Sequence, residues 1–233
     1  MKVAVLSDIH GNLPALEAVL NDFPLVNACI CCGDLVGYYP DAEEVCNILR
    51  ELTTFIIRGN HDAYVSGALF PALEKKDTYK TEWTRANLSE KNLSWLVALP
   101  VEMNFSWDGS RILMRHASPW DEDTYLFPNS IRLSEIHLGE NEFLFLGHTH
   151  RPMWIQAGNG MILNPGSVGQ PRDWNPLASY AIFDTASRSV EMRRVKYNVS
   201  AFQNRLQVLG WEDSAIDILS RRKDGIQTNG RYE

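Results

Sequence analysis

The chain has 233 residues, 45% of them hydrophobic and 22% charged, enough to bury a core without disulfide staples. A net charge of −7 and a pI of about 5.4 argue against a general electrostatic grip on nucleic acid or anionic membrane and leave room only for a local basic groove. No apolar run approaches membrane-spanning length, and the first expected strand begins at Lys2, so the expectation is a cytoplasmic protein without a signal segment.

In chain order, residues 3–6 are a continuous apolar run, the pattern of a buried strand. A loop with Asp8, His10 and Gly11 follows. A helix then begins at about Pro14, with Leu13, Leu16, Val19, Leu20 and Phe23 on one face; proline suits the first turn, where its missing N–H costs nothing. Residues 28–32 predict a second strand, ending at Gly33-Asp34. Residues 41–52 predict a helix with Val45, Ile48, Leu49 and Leu52 inward, and residues 53–57 a third strand running into Arg58-Gly59-Asn60-His61. This β-α-β-α-β order predicts parallel strands.

From 63 to 100 the chain changes character. Trp83, Leu88, Leu93, Trp95 and Leu96 recur at mainly helical spacing, which predicts two or three helices beside the site. Residues 101–107 and 111–115 flank Asp108-Gly109, a hairpin signal. A short helix is expected over 128–138, then a strand over 143–146 leading into Gly147-His148-Thr149-His150. Residues 154–156 and 161–163 predict a hairpin around Gly158-Asn159-Gly160, and 180–184 with 190–195 a last strand pair. The tail from Val199 is helical and polar and frays after Arg221. Late strands without intervening helices predict a second sheet packed on the first. The expected fold is a layered α/β/β/α sandwich of two mixed sheets flanked by helices. It is read as one domain over 1–233, with a helical insert at 63–100 and a helical tail at 199–233.

Four of the six histidines fall in a set of four motifs that each follow an expected strand, and a fifth, His116, stands alone just after another. The motifs are Asp8-Ile9-His10, Gly33-Asp34, Gly59-Asn60-His61-Asp62 and Gly147-His148-Thr149-His150, with a lone His116 before the last. Ligands of α/β sheets gather outside the carboxyl ends of the strands, so this placement points to one site. Asp8, His10, Asp34, Asn60, His116, His148 and His150 together offer carboxylates and imidazoles. That mixture suits manganese, iron, zinc, nickel or cobalt, and two such ions about 3.5–4 Å apart clamp a phosphoryl group. The cysteines Cys29, Cys31, Cys32 and Cys46 lack thiolate-site spacing and read as small buried hydrophobes. Four Asn-x-Ser sequons, at Asn87, Asn92, Asn104 and Asn198, read as chance. His137 reads as structural.

In order and spacing these motifs resemble those of the calcineurin-like metallophosphoesterase superfamily, in particular its small bacterial and archaeal members. The segment Asn164-Pro165-Gly166-Ser167-Val168-Gly169-Gln170-Pro171-Arg172 also resembles the small-member pattern. The resemblance implies two divalent metals, manganese first. Asp8, His10 and His150 would hold one; Asn60, His116 and His148 the other; Asp34 would bridge them. It further implies a phosphodiesterase in which a hydroxide shared by the ions attacks phosphorus. His61 would stabilise the charge or protonate the leaving oxygen, and Arg58 would add charge beside the phosphoryl group. The implied partner is a small, possibly nucleotide-like phosphoester. The alternatives are a phosphomonoesterase or nucleotide phosphatase and, from another class, a non-catalytic metal-binding scaffold.

Several nearby residues stay open between two roles. Asp62 is expected as a hydrogen-bond partner. Arg172 and Asp173 either meet phosphate or pin a loop, and Tyr38 and Tyr39 either line the pocket or cover the sheet edge. Larger relatives place an Asp after Gly-Asp to orient the catalytic His. Gly37 and Tyr38 stand there in this chain, which leaves the orientation of His61 without an explanation in sequence.

Overall fold

The computed structural model describes residues 1–52 and 55–222. Strand β1 (Lys2–Leu6) opens a run of helices and strands: α1 (Leu13–Asp22), β2 (Ala28–Cys31), α2 (Ala42–Leu52) and β3 (Phe55–Ile56). Four helices follow, α3 (Asn60–Ser66), α4 (Lys76–Tyr79), α5 (Thr81–Asn87) and α6 (Glu90–Ala98). Strands β4 (Glu102–Trp107), β5 (Ser110–Arg115), β6 (Glu142–Phe145), β7 (Pro152–Ala157) and β8 (Gly160–Pro165) come next. The described chain closes with β9 (Ala178–Asp184), β10 (Ser189–Val195), α7 (Val199–Val208) and α8 (Asp213–Asp217).

Two five-stranded sheets form, in the orders β10-β9-β1-β2-β3 and β4-β5-β6-β8-β7. Both are mixed: β1, β2 and β3 run parallel, with β9 antiparallel to β1, while β6 lies parallel to both β5 and β8. The strand period of two explains the layering. Ala4, Leu6, Cys29 and Cys31 face α1 and α2. Their neighbours Val3, Val5, Ile30 and Cys32 face the second sheet, where they meet Met114, Phe145 and Leu163. Leu144, Leu146 and Ile162 point the other way, into a cluster closed by Leu126, Ile136 and Leu138. The expected α/β/β/α sandwich is therefore the fold observed. All four cysteines are buried. Among the described residues, no helix is long and apolar enough to cross a membrane.

Three local expectations change. The last strand pair does not extend the second sheet. β9 pairs antiparallel with β1 and carries β10 to the edge of the first sheet, because Ala181 and Phe183 fill the space between the sheets. The helix expected over 128–138 is only a short 3-10 turn, Ile131–Glu135. Beyond it Ile136 and Leu138 are buried on either side of exposed His137, an extended rather than a helical pattern. Finally, α3 starts at Asn60 rather than after the Gly-Asn-His-Asp motif. Asp62 makes that start favourable by accepting the Gly59 N–H at 2.8 Å from the third helical position. Residues 53 and 54 of the third expected strand, and the tail from 223 to 233, lie outside the described residues.

Candidate metal centre

Five strand ends deliver the residues singled out by the motifs. Asp8-Ile9-His10 follows β1, Gly33-Asp34 follows β2, Gly59-Asn60 follows β3, His116 follows β5, and His148 and His150 follow β6. Asp8 and His10 both hold left-handed backbone, with φ of 54° and 55°, as do His148 and His150 at 64° and 57°. With residues i and i+2 of each loop in this conformation, both side chains turn to the site, while Ile9 between them is fully buried in the core. For non-glycine residues this conformation costs of order 1–3 kcal/mol each and persists only where the surroundings enforce it. Here hydrogen bonds do so. The Asp8 N–H donates to Gly33 O at 3.0 Å and the His10 N–H to Asp34 O at 3.0 Å. Ser167 Oγ donates to Asp8 O at 2.7 Å, and the His148 N–H to Asp8 Oδ1 at 3.1 Å.

The seven expected ligands meet in two buried groups that share Asp34. Asp8, His10, Asp34 and His150 bring one ligand atom each within 4.8 Å of the others, and so do Asp34, His116 and His148. Asn60 Oδ1 joins the second group, 3.1 Å from His116 Nε2 and 3.0 Å from His148 Nδ1. Gly59 is needed for this approach, since a Cβ there would land on the Asp34 carboxylate.

The chemistry of the donors fits a cation. His10, His116 and His150 each donate Nδ1–H to a backbone carbonyl, of Val36 (3.2 Å), Cys32 (2.7 Å) and Gln170 (2.6 Å). His148 does the same from Nε2 to Asp123 O at 3.2 Å. These bonds assign the tautomers and leave the second nitrogen of His10, His148 and His150 with a bare lone pair. The bare nitrogens of His10 and His150 face each other at 3.0 Å. That of His148 faces the Asn60 amide oxygen at 3.0 Å. Acceptor facing acceptor is repulsive unless positive charge lies between. Asp8 Oδ2 is likewise buried with no hydrogen-bond partner among the described residues. Burial pushes the His10 pKa down to about 4 and that of His148 to about 3, keeping both rings neutral as ligands must be. His116 departs from this. Burial opposes its charge, but Asp34, with Oδ2 3.2 Å from Nε2, pulls its pKa up to about 10. A proton there occupies the place a divalent ion would take.

His61 sits at the edge of both groups and no hydrogen bond from its ring orients it among the described residues. Aromatic faces do so instead. Its ring centroid lies 4.7 Å from Tyr38, nearly stacked, 4.7 Å from His10 and 4.4 Å from Tyr79. Gly37 completes the slot, since its φ of +88° suits glycine and a Cβ would come 2.8 Å from His61 Nδ1. The His61 backbone N–H donates to Asp34 Oδ1 at 2.8 Å. Gly37 and Tyr38, where the sequence offers no orienting Asp, form two sides of the slot that holds the His61 ring.

Asp62 accepts from the N–H groups of Leu35, Val36 and Gly59, tying the Asp34 loop to α3. Tyr38 lines the site, whereas Tyr39 is fully buried and donates its hydroxyl to Ala215 O at 3.0 Å. Arg58 turns to Glu122, 3.3 Å from its Nη2. Asp173 pairs with Arg194 and pins its loop. Arg172 donates to Gln170 Oε1 and to the Tyr38 hydroxyl at 2.9 Å. Sequence reasoning missed Tyr64, Tyr79 and Tyr125. Tyr64 and Tyr79 lie nearly parallel, 6.0 Å apart, and Tyr125 covers His148 at 4.0 Å. No motif marks them; they come from α3, α4 and the loop after His116.

A family model described as the calcineurin-like phosphoesterase superfamily domain matches residues 1–188. An uncharacterized protein of Methanocaldococcus jannaschii, MJ0912, is 33% identical over 220 residues, 84% of this chain and 88% of the relative. The phosphodiesterase YfcE of Escherichia coli K12 is 30% identical over 196 residues, 82% of this chain and 91% of YfcE. Among solved structures, a metallophosphoesterase from Sphaerobacter thermophilus superposes with a TM-score of 0.81 at 30% identity, covering 95% of this chain and 99% of that one.

Proposed function

The chain belongs to the calcineurin-like phosphoesterase superfamily, and on that premise we propose that it is a metal-dependent phosphodiesterase with a dinuclear centre. The observation that carries the reading is the convergence of seven buried donor residues into two groups about Asp34, with the ring nitrogens of His10 and His150 turned toward each other at 3.0 Å. Asp8, His10 and His150 would hold one ion and Asn60, His116 and His148 the other, with Asp34 shared. Once bound, the divalent ions, manganese first among the candidates, would polarise the phosphoryl oxygens and supply an activated water as nucleophile.

The chain's own residues do the rest. Asp34 aligns His61 through the 2.8 Å bond from the His61 N–H. Burial, against the pull of Asp34, holds the His61 imidazole well below its ordinary pKa, so the ring is neutral before substrate arrives. The phosphoryl charge would then draw a proton onto it, and His61 would return that proton to the leaving oxygen. Tyr38, Tyr79 and Gly37 keep the ring at that post. Arg58 already faces Glu122, which weakens the expectation that it adds charge at the phosphoryl group.

The rim supports an ester with an aromatic group. Tyr64 and Tyr79 are only partly buried and Tyr125 is 45% exposed, which leaves aromatic surface at the rim for a nucleobase or aryl ring. The test is hydrolysis of bis-(p-nitrophenyl) phosphate against p-nitrophenyl phosphate across a panel of divalent metals. Metal-dependent diester turnover is expected. Turnover of the monoester alone would replace the reading with a phosphomonoesterase. Metal uptake without turnover of either ester would favour the scaffold.

A further inference from the structure

Arg172 is a cation with no anion. It comes from the loop after β8, partly buried, with its own N–H donating to His150 O at 3.2 Å. Of its five side-chain N–H donors, Nε–H and one Nη2–H go to Gln170 Oε1, at 3.1 and 2.7 Å. The other Nη2–H goes to the Tyr38 hydroxyl at 2.9 Å, and the guanidinium lies over the Tyr38 ring. All these partners are neutral. Both N–H groups of Nη1 have no partner among the described residues, and no carboxylate there comes within ion-pair distance of Arg172. Its neighbours differ: Arg194 has Asp173, Arg58 has Glu122 and Arg205 has Asp41.

The unpaired charge lies beside the centre: Tyr38, whose hydroxyl it bonds, stacks on His61 at 4.7 Å and meets His10 edge-on at 4.8 Å. Withdrawing a guanidinium from water without an anion is costly, and a fork fixed on three donors with one edge open is prepared for a planar or tetrahedral oxyanion. Gln170 links this fork to the metal groups, since its carbonyl accepts from His150 Nδ1 at 2.6 Å while its side chain holds the guanidinium.

We propose that Arg172 is a substrate-binding residue whose Nη1 edge donates to a phosphoryl oxygen of the ester held at the metal centre. The proposal rests on the phosphoesterase reading and names the cation that reading lacks. A loop-pinning role alone would need the three donors already engaged and leaves the fourth and fifth without purpose.

The test is calorimetric titration of inorganic phosphate into manganese-loaded wild type, Arg172→Met and Arg172→Lys, with manganese content and thermal midpoint measured on each and diester turnover measured in parallel. For Arg172→Met the phosphate Kd is expected to rise about ten- to hundredfold, the worth of a charged hydrogen bond, with manganese content unchanged. Arg172→Lys keeps the charge but loses the fork and is expected to lie between, about three- to tenfold weaker than wild type. Unchanged phosphate affinity in Arg172→Met overturns the proposal and leaves Arg172 as a loop pin. Should that variant not fold, unchanged affinity in Arg172→Lys overturns it instead. Metal-loaded wild type that binds no phosphate overturns it too. The two readings separate cleanly. Diester turnover that survives Arg172→Met with unchanged KM sinks the proposal and spares the phosphoesterase. Phosphate binding that depends on Arg172, in a protein that hydrolyses neither ester, does the reverse.

Discussion

Asp34 is the residue on which both ligand groups turn. One carboxylate oxygen accepts the His61 N–H, and the other lies 3.2 Å from His116 Nε2 and 3.7 Å from His10 Nε2. Asp34→Asn is expected to strip both ions and bring diester turnover below detection, as read by metal analysis of the purified protein; full metal content would remove Asp34 from the shared position. His61→Ala is expected to leave metal content unchanged and lower kcat by roughly 10²–10⁴-fold, the usual contribution of a positioned acid–base group. A variant as fast as wild type would end that assignment. Gly37→Ala tests what orients His61. The added methyl would sit 2.8 Å from His61 Nδ1 at a φ of +88°. A loss of stability of about 1–3 kcal/mol is expected, together with a lower kcat at constant metal content. The ligand types were legible at this scale because metal chemistry restricts them to a few residues at fixed offsets. The aromatic slot was not. A Tyr in sequence carries no sign of which ring it will face, so Tyr79 was invisible and Tyr38 ambiguous.

Among the elements, the closing helices matter more to the site than their polar sequence suggests. Phe202 and Leu206 of α7, Trp211, and Ala215 and Ile216 of α8 pack as one cluster with Tyr38 and Tyr39. Trp211 Nε1–H donates to Tyr38 O at 2.6 Å, and its ring meets Trp83 of α5 edge-on at 5.0 Å. The tail thereby clamps the loop that carries Gly37 and Tyr38. Trp211→Ala is expected to cost about 3–5 kcal/mol in denaturant unfolding, as large core truncations do. Turnover should fall as well, through a loosened His61 slot. Activity unchanged at temperatures where the variant is folded would uncouple the tail from the site. The strands and the first two helices follow from apolar period and from Pro14. The helix expected over 128–138 failed because Ile136 and Leu138 serve an extended edge, and the return of β9 to β1 depends on which sheet has room for Phe183.

For the molecule as a whole, the site is a junction between two sheets. Asp8, His10, Asp34 and Asn60 hang from the first sheet and its following helix, and His116, His148 and His150 from the second. Metal binding should therefore act as a clasp on the folded state. Saturation at 100 times Kd is expected to add about 2.7 kcal/mol, or roughly 5–10 °C in thermal midpoint, relative to protein treated with chelator. Asp34→Asn should abolish the difference, and a midpoint indifferent to metal would contradict a centre spanning both sheets. The sequence by itself determined the alternation of strands and helices, the buried character of the core strands and the seven metal-seeking side chains, because each is written in local period or in the narrow chemistry of a residue type. Only the tertiary structure decided that Arg58 pairs with Glu122 while Arg172 sits on Tyr38 without an anion, and that a distant tail clamps the loop behind His61. Those outcomes depend on contacts between residues far apart in the chain, and no local pattern encodes which carboxylate, ring or carbonyl a side chain will meet once the sheets have closed.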